Sequence, residues 1–326
     1  MRILIVRLSA LGDIVHTLPL ADNAHAAGCE VGWLTQAAYA PLLTGNPAVS
    51  RVFLADTGNW RRNPLSPAVR RDFAALSREL SGFAPEKTID AQGLWKSAVL
   101  ARLAGAPVVG FGARSRREPV SALLLSQRVR LSRSDVHVVD QNLSLLSPLG
   151  IPIARRAPDA RYLLEPASAP AKAALAGLPR PFAVYHPGAA RPEKSWGEEK
   201  YARLAAILAD KLGLFPVISW GPGDERRAER LSALVPEGFV APPLDLSGLA
   251  QLAAASSLFV GGDTGPVHLA DAVGAPALAI FGRDASRRNV PSRNRPYAGG
   301  AVSYDQAASA ETAAALAAEL VRSRGA

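Results

Sequence analysis

Short apolar strands alternate with helix-forming segments along this chain, and this alternation constrains the fold more than any other feature. In the first half, strands are predicted at 2–8, 30–34, 51–55, 87–90 and 108–111. Helical patterns separate these strands, notably at 67–80, 95–104 and 137–149. Regular alternation of this kind is typical of a parallel sheet with helices on both faces. We therefore predict an α/β fold.

The same alternation returns after a stretch rich in proline and alanine. Six prolines lie within residues 150–181, a density that suits a linker. Beyond it, strands are predicted at 182–186, 215–219, 257–260 and 277–281, and helices at 198–212 and 310–322. A chain of 326 residues is long enough for two domains. We predict two similar Rossmann-like domains in tandem, 1–168 and 169–326.

The charge balance indicates an anionic partner. Lysine and arginine number 37 against 28 acidic residues, for a formal charge of +9. Such a charge favours nucleic acid, anionic lipid or phosphorylated glycan as a partner, unless it is the ordinary surface charge of an arginine-rich proteome.

Cys29 is the single cysteine, which excludes an intrachain disulfide. The sequence has no apolar run near 18 residues, so we expect no transmembrane helix. We also expect no secretory signal, because Arg7 and Asp13 interrupt the N-terminal apolar stretch.

A Gly-Asp pair follows the first predicted strand. The run from Arg7 to Pro19 places Gly12 and Asp13 at the bend before a helix-like segment. An aspartate there can face a ligand at the carboxyl end of a parallel strand, where open α/β sheets bind ligands. Alternatively, Asp13 only caps the helix.

A second glycine-rich turn begins at Gly261, after the strand predicted at 257–260. Thr264 and Gly265 open a helix there, and the free N–H groups at a helix start attract phosphate oxygens. Asp263 would then point at neighbouring sugar hydroxyls. The alternative is a tight strand-to-helix turn in which Asp263 is the cap.

Other charged loop residues allow a binding role or a plain surface role. Lys194 is positioned to neutralise a phosphate, or it is a solvated lysine. Asp224 can bind a ribose hydroxyl or cap the following helix. The first-half loops carry five cations that suit a multiply anionic acceptor, or that are each simply solvated: Arg61, Arg62, Lys96, Arg114 and Arg117.

Several common catalytic motifs do not occur in the sequence. The chain has no Asp-x-Asp, no His-Glu-x-x-His, no Walker A motif and no Gly-x-Ser-x-Gly elbow. The Rossmann Gly-x-Gly-x-x-Gly fingerprint does not follow the first strand. The sequence therefore gives no sign of a metal ion or another cofactor, and we expect none.

The motifs together resemble those of the ADP-heptose:lipopolysaccharide heptosyltransferases, glycosyltransferase family 9. The resemblance rests on residues 8–19, 89–97, 117–119, 194–196 and 262–270, in the family's order. It implies a GT-B fold, with the acceptor on the first domain, the nucleotide sugar on the second and the C-terminal helix packed back on the first. It also implies an enzyme that transfers heptose from ADP-heptose to the Kdo region of the lipopolysaccharide inner core, with inversion and without a metal.

The resemblance also assigns roles to residues. Asp13 would be the general base, and Lys194 with the N–H groups at Thr264 and Gly265 would stabilise the departing ADP. The other donor-binding residues it implies are Gly188, Asp224, Leu244, Asp263 and His268, although His268 is equally compatible with a packed helix histidine. The acceptor-binding residues it implies are Gly12, Arg61, Arg62, Gln92, Lys96, Arg114 and Arg117.

The sequence departs from the family motif at one place, and it leaves two alternative functions open. Ala189 and Ala190 stand where the family tends to carry hydroxyl residues, which leaves only backbone contacts to phosphate. The alternatives are a related family 9 enzyme with another nucleotide sugar or acceptor, and a non-catalytic nucleotide or glycan binder. Nucleic-acid binding is suggested by the charge alone, so we expect no specific nucleic acid. The resemblance places the protein in the cytoplasm of a Gram-negative bacterium, with its basic face in transient contact with the inner membrane.

Overall fold

The computed structural model describes residues 1–132, 137–166, 168–188, 196–280 and 309–323. The chain divides into two compact units, Met1–Ala157 and Pro158–Ala326. Within the described residues, no helix is both long enough and apolar enough to cross a membrane.

The division lies earlier than the boundary that we predict at 168. Residues 158–168 belong to the second unit because their backbone is hydrogen-bonded to it. Ala160 N donates to Ala272 O at 3.1 Å, and Ser247 Oγ donates to Leu163 O at 2.8 Å. The proline-rich stretch is therefore partly packed structure rather than a free linker.

The first unit contains a parallel six-stranded sheet in the order β3-β2-β1-β4-β5-β6. Its strands are β1 (Arg2–Val6), β2 (Glu30–Thr35), β3 (Arg51–Leu54), β4 (Lys87–Asp90), β5 (Val108–Phe111) and β6 (Gln127–Val129). Its helices are α1 (Leu11–Val15), α2 (Leu18–Ala26), α3 (Ala40–Leu43), α4 (Thr57–Arg62), α5 (Pro67–Phe83), α6 (Trp95–Leu103) and α7 (Val138–Ser144). Short 3₁₀ helices occur at Ala37–Tyr39, Ala113–Ser115, Pro119–Leu124 and Ser147–Leu149.

The second unit repeats this arrangement with a parallel five-stranded sheet in the order β11-β10-β7-β8-β9. Its strands are β7 (Phe182–His186), β8 (Phe215–Ile218), β9 (Phe239–Val240), β10 (Leu258–Gly262) and β11 (Ala277–Ile280). Its described helices are α8 (Ala169–Ala176), α9 (Glu198–Leu212), α10 (Glu225–Leu234), α11 (Leu246–Ala255), α12 (Gly265–Ala272) and α13 (Ala310–Ser323), with a 3₁₀ helix at Arg161–Leu164.

Continuous apolar strands place the two cores. Ile3 to Val6 of β1 have no exposed surface, as expected for a central strand covered on both faces. In each sheet the strand order reverses beside the first strand of the unit, between β1 and β4 and between β7 and β10. Open α/β sheets bind ligands in the crevice at the carboxyl ends of such strands. The loops after β1, β4, β7 and β10 are therefore the places to look for function.

Two helices differ from our predictions. The helix predicted at 137–149 ends at Ser144 and is followed by the 3₁₀ helix, because Pro148 lacks the N–H that an α-helix needs there. Helix α13 packs within the second unit, whereas the resemblance implies packing on the first. Its buried residues Ala313, Ala317 and Leu320 belong to the core of the second unit, alongside residues of α9.

Candidate active site

The Asp13 carboxylate lies at the first turn of α1, directly after β1. Arg7 Nη2 is 2.7 Å from Asp13 Oδ1, and Ala10 N donates to Asp13 Oδ2 at 3.3 Å. The Arg7 side chain is 7% exposed, whereas that of Asp13 is 42% exposed. Asp13 therefore contacts the backbone at the helix start and also presents an oriented carboxylate to solvent, so its predicted roles as a cap and as a ligand-facing acid are compatible.

Gln92 joins the loop after β4 to the loop after β1. Its Oε1 atom accepts hydrogen bonds from Leu8 N at 2.9 Å and from Ser9 N at 3.2 Å. Arg7 Nη1 also donates to Ala91 O. The side-chain oxygen of Gln92 thus holds the backbone that carries Asp13, a structural role that its predicted acceptor contact did not include.

A buried ion pair supports the same loops. The side chains of Asp90 and Arg116 are both fully buried, and Arg116 Nη2 contacts Asp90 Oδ2. Asp90 Oδ1 accepts hydrogen bonds from Gln92 N at 3.2 Å and from Gly93 N at 3.3 Å. Sequence reasoning missed Arg116 as a supporting residue. The available signal was an acidic residue at the end of a predicted strand, together with a basic run that follows the next strand along the chain.

The first unit also contains a cavity of about 1040 Å³. It brings together three of the predicted acceptor-binding cations, Arg61, Lys96 and Arg117. The rest of its lining is mainly aromatic, apolar and polar: Gln36, Thr57, Gly58, Trp60, Pro64, Phe73, Leu94, Trp95, Val99, Leu100 and Glu118.

The other predicted acceptor residues lie outside this lining. Arg62 Nε donates to Gly58 O of its own helix at 3.4 Å. Arg114 is exposed on the 3₁₀ helix at Ala113–Ser115, and Gly12 precedes Asp13 on α1.

In the second unit, Gly188 lies in close contact with Asp224 and His186. A Cβ atom on Gly188 would be 2.9 Å from both Asp224 Cγ and His186 Nε2, closer than real Cβ contacts allow. Arg227 Nε is 3.8 Å from Asp224 Oδ1. Burial raises the pKa of the Asp224 carboxyl, and the nearby Arg227 opposes that effect. Gly188 and Asp224, which we predicted to bind the donor, are therefore neighbours.

His186 ends β7 at the point where the strand order reverses. Its Nδ1 atom is 3.0 Å from Ser219 Oγ, and burial lowers the pKa of the imidazole to about 4. The ring is therefore neutral near pH 7. We did not predict His186 as a site residue, although a histidine that ends an apolar strand before Pro-Gly is a visible signal.

The predicted phosphate-binding turn joins β10 to α12. Thr264 is the N-cap residue, but its side chain makes no capping hydrogen bond to α12, and its Oγ1 atom donates to Gly262 O at 3.4 Å. The first-turn N–H groups of α12 are therefore not occupied by that hydroxyl. His268 is buried, and its Nε2 atom lies 3.7 Å from Asp263 Oδ1. Asp263 and His268, both predicted to bind the donor, thus belong to one cluster.

Leu244 and Lys194 complete the predicted donor residues. Leu244 is half-buried and precedes Asp245, whose Oδ1 atom accepts from Gly248 N at 2.7 Å and caps α11. Lys194, Ala189 and Ala190 lie outside the described residues. Among the described residues, no group of three or more histidine, cysteine, aspartate and glutamate side chains is arranged to hold a metal ion.

Comparison with known proteins identifies the family. The model of "Glycosyltransferase family 9 (heptosyltransferase)" matches residues 32–314, most of the chain. The chain belongs to glycosyltransferase family 9. It is therefore a glycosyltransferase, as the motifs at 8–19 and 262–270 predicted.

Individual relatives agree with this assignment. The chain is 31% identical over 293 residues to lipopolysaccharide heptosyltransferase 1 of Escherichia coli K12, covering 86% of this chain and 88% of that protein. It is 33% identical over 287 residues to lipopolysaccharide heptosyltransferase 1 of Pseudomonas aeruginosa PAO1, covering 86% and 79%.

A solved structure confirms the fold. The structure of E. coli heptosyltransferase WaaC with ADP-2-deoxy-2-fluoro heptose matches with a TM-score of 0.73 and 30% identity, over 86% of this chain and 89% of WaaC. The predicted GT-B fold class is thereby confirmed as two α/β units, each with a parallel sheet.

Proposed function

We propose that this family 9 enzyme transfers heptose from ADP-heptose to the Kdo region of the lipopolysaccharide inner core, with inversion and without a metal ion. The observation that carries the proposal is the Asp13 carboxylate, held by Arg7 at 2.7 Å yet 42% exposed at the end of β1. The relatives named lipopolysaccharide heptosyltransferase 1 and the WaaC complex with an ADP-heptose analogue support the choice of donor and acceptor.

In this mechanism Asp13 is the general base. The acceptor hydroxyl oxygen attacks the anomeric carbon of heptose while its proton passes to the Asp13 carboxylate. The bond between the anomeric carbon and the diphosphate oxygen breaks through an oxocarbenium-like state. Arg7 keeps the carboxylate oriented through this step, because it is itself anchored to Ala91 O.

The second unit stabilises the departing ADP. Its leaving oxygen gains negative charge, which the first-turn N–H groups of α12 beyond Thr264 stabilise by donating hydrogen bonds to it. Lys194 supplies a positive charge to the same diphosphate. Asp263 holds heptose hydroxyls, assisted by His268. Gly188 contacts the donor through its own backbone. A side chain at this position would clash with Asp224 and block that contact.

The remaining donor contacts concern the nucleoside. Asp224 accepts a hydrogen bond from a ribose hydroxyl, and Leu244 packs against the adenine. With alanine at 189 and 190, the diphosphate near these positions receives only backbone hydrogen bonds.

The cations of the first unit bind the acceptor. Arg61, Lys96 and Arg117 line one cavity, where they would meet the carboxylates and phosphates of the acceptor. Gly12, Arg62, Gln92 and Arg114 extend that contact. The acceptor is linked to a lipid, so we place the enzyme in the cytoplasm, at the surface of the inner membrane of a Gram-negative bacterium.

The decisive experiment measures ADP release from ADP-heptose with Kdo₂-lipid A in the presence of EDTA. We expect wild-type turnover, a loss of about 10²-fold or more in Asp13→Asn, and little change in Asp72→Asn, an exposed acid on α5 of the same unit. Equal turnover of wild type and Asp13→Asn would contradict the general-base role. Loss of turnover on chelation would contradict metal independence.

A second candidate function is transfer of another nucleotide sugar by the same Asp13 base. The alanines at 189 and 190 favour it, because the family tends to carry hydroxyl residues there. A panel of ADP- and UDP-sugars distinguishes the two candidates: turnover with ADP-heptose alone excludes the second. Nucleotide binding without turnover of any donor would instead indicate a non-catalytic binder.

A further inference from the structure

Three large apolar side chains in the segments that follow β4 and β5 are largely exposed. Trp95 is 49% exposed, Val120 is 64% exposed and Leu123 is 74% exposed. Val120 and Leu123 lie three residues apart on the 3₁₀ helix Pro119–Leu124, so their side chains point to the same side. We call these three residues the apolar patch.

Glu118 ties the two segments of the apolar patch together. Trp95 N, at the start of α6, donates to Glu118 Oε2 at 2.5 Å, and Glu118 N donates to Gly93 O at 3.3 Å. The 3₁₀ helix that carries Val120 and Leu123 begins at the next residue. The Glu118 side chain and backbone thus link the start of α6 to the start of the 3₁₀ helix.

The sequence around the apolar patch is strongly basic. Between residues 112 and 130 the chain has five arginines, and Glu118 is the one acidic residue. Arg116 forms the buried ion pair with Asp90, whereas Arg114 and Arg117 are exposed. Arg128 is also exposed and its Nε donates to Ala122 O at 3.1 Å, which places its charge beside the 3₁₀ helix. Cations therefore flank the apolar side chains.

We infer that the apolar patch and its flanking arginines dock the enzyme on the surface of an anionic lipid bilayer. At a bilayer surface, the exposed apolar side chains would contact acyl chains, and the flanking cations would contact the anionic headgroups above them. Tryptophan is favoured at that interface because its ring is amphipathic.

The position of the patch agrees with this occupant. Trp95, Arg117 and Glu118 also line the cavity that contains Arg61 and Lys96. A bilayer bound at the patch would therefore present lipid-linked sugars beside the cavity. This last step rests on the proposed function, whereas docking itself does not.

The test is flotation of the full-length protein with vesicles. We expect wild type to bind vesicles rich in phosphatidylglycerol, to bind phosphatidylcholine vesicles at least tenfold more weakly, and to lose affinity as salt rises. Val120→Ser with Leu123→Ser should weaken binding to anionic vesicles about tenfold. Leu234→Ser, which changes a leucine of the second unit that is 48% exposed, should bind like wild type.

Activity provides a second readout. We expect the double variant to keep wild-type turnover of a deacylated, water-soluble acceptor and to lose turnover of the same acceptor embedded in vesicles. If wild type turns over neither acceptor, the proposed function fails, but the flotation result still decides docking.

Three results would overturn the inference. The first is wild type that does not float with anionic vesicles, and the second is a double variant that floats as well as wild type. The third is a wild-type dimer in solution that the double variant dissociates, because the apolar patch would then be an interface between two copies of the chain.

Discussion

The buried pair of Arg116 and Asp90 gives the sharpest test of how the first unit is held together. Arg116→Met keeps much of the side-chain volume and removes the guanidinium. Its Nη2 contact with Asp90 and its Nε hydrogen bond to Ser121 Oγ at 2.7 Å are both lost. Asp90 then remains fully buried, with only the long hydrogen bonds from Gln92 N and Gly93 N.

The expected cost follows from that uncompensated charge. Removing one partner of a buried ion pair typically costs about 3–5 kcal/mol in the free energy of unfolding. The cost is large against a typical total of about 5–15 kcal/mol. Adding Asp90→Asn to Arg116→Met removes the charge and keeps an oxygen for the two N–H groups. We expect this double variant to recover about 1–3 kcal/mol of the loss.

Urea unfolding followed by circular dichroism measures these differences. The matched control is Arg156→Gln, because Arg156 pairs with Asp140 at 2.8 Å in the same unit but is 55% exposed. We expect that variant to lose about 1 kcal/mol or less. The reasoning is refuted if Arg116→Met costs no more than Arg156→Gln, or if adding Asp90→Asn makes the protein less stable still.

Three further predictions concern the candidate site. Gly188→Ala should raise the KM for the donor about tenfold, because its Cβ would clash with Asp224. Gly221→Ala should leave this KM unchanged, because no atom lies within 4 Å of its new Cβ. Equal KM values for the two variants would contradict the prediction. Arg7→Met should lower kcat about 10²-fold with the donor KM unchanged, and a kcat within twofold of wild type would argue against an orienting role. Burial lowers the pKa of His186 to about 4, so below pH 6.5 the unfolded chain binds a proton that the folded chain does not bind. The free energy of unfolding should therefore fall by about 3 kcal/mol between pH 6.5 and 4. The urea midpoint of His186→Gln should lack this dependence on pH. A dependence that persists in the variant would assign the effect to other groups.

Much of the fold was predictable because its signals are local. The strands predicted at 87–90, 108–111 and 182–186 have the same bounds as β4, β5 and β7. Strands β5 and β7 are short, mainly apolar runs, and a proline directly precedes each of them. Strands β6 and β9 were missed. They are only three and two residues long and partly exposed, so they lack an apolar run.

The candidate site was predictable to a similar extent and for a similar reason. Asp13, Asp224 and Asp263 each follow a strand, which is where an open α/β sheet exposes polar side chains. The roles assigned to them remain predictions. His186, Arg7 and Arg116 were not chosen, because their importance depends on burial and on partners distant in sequence.

The sequence alone determined the order of strands and helices, the family and the loops that carry polar residues, because apolar periodicity and turn residues act over a few neighbouring positions. Only the tertiary structure decided which charges are buried. Arg116 and Arg117 are adjacent in one basic run, yet Arg116 is buried against Asp90 and Arg117 lines a cavity. That difference arises because β4 and β5 pair side by side. The pairing brings Asp90 next to Arg116, which is 26 residues away along the chain.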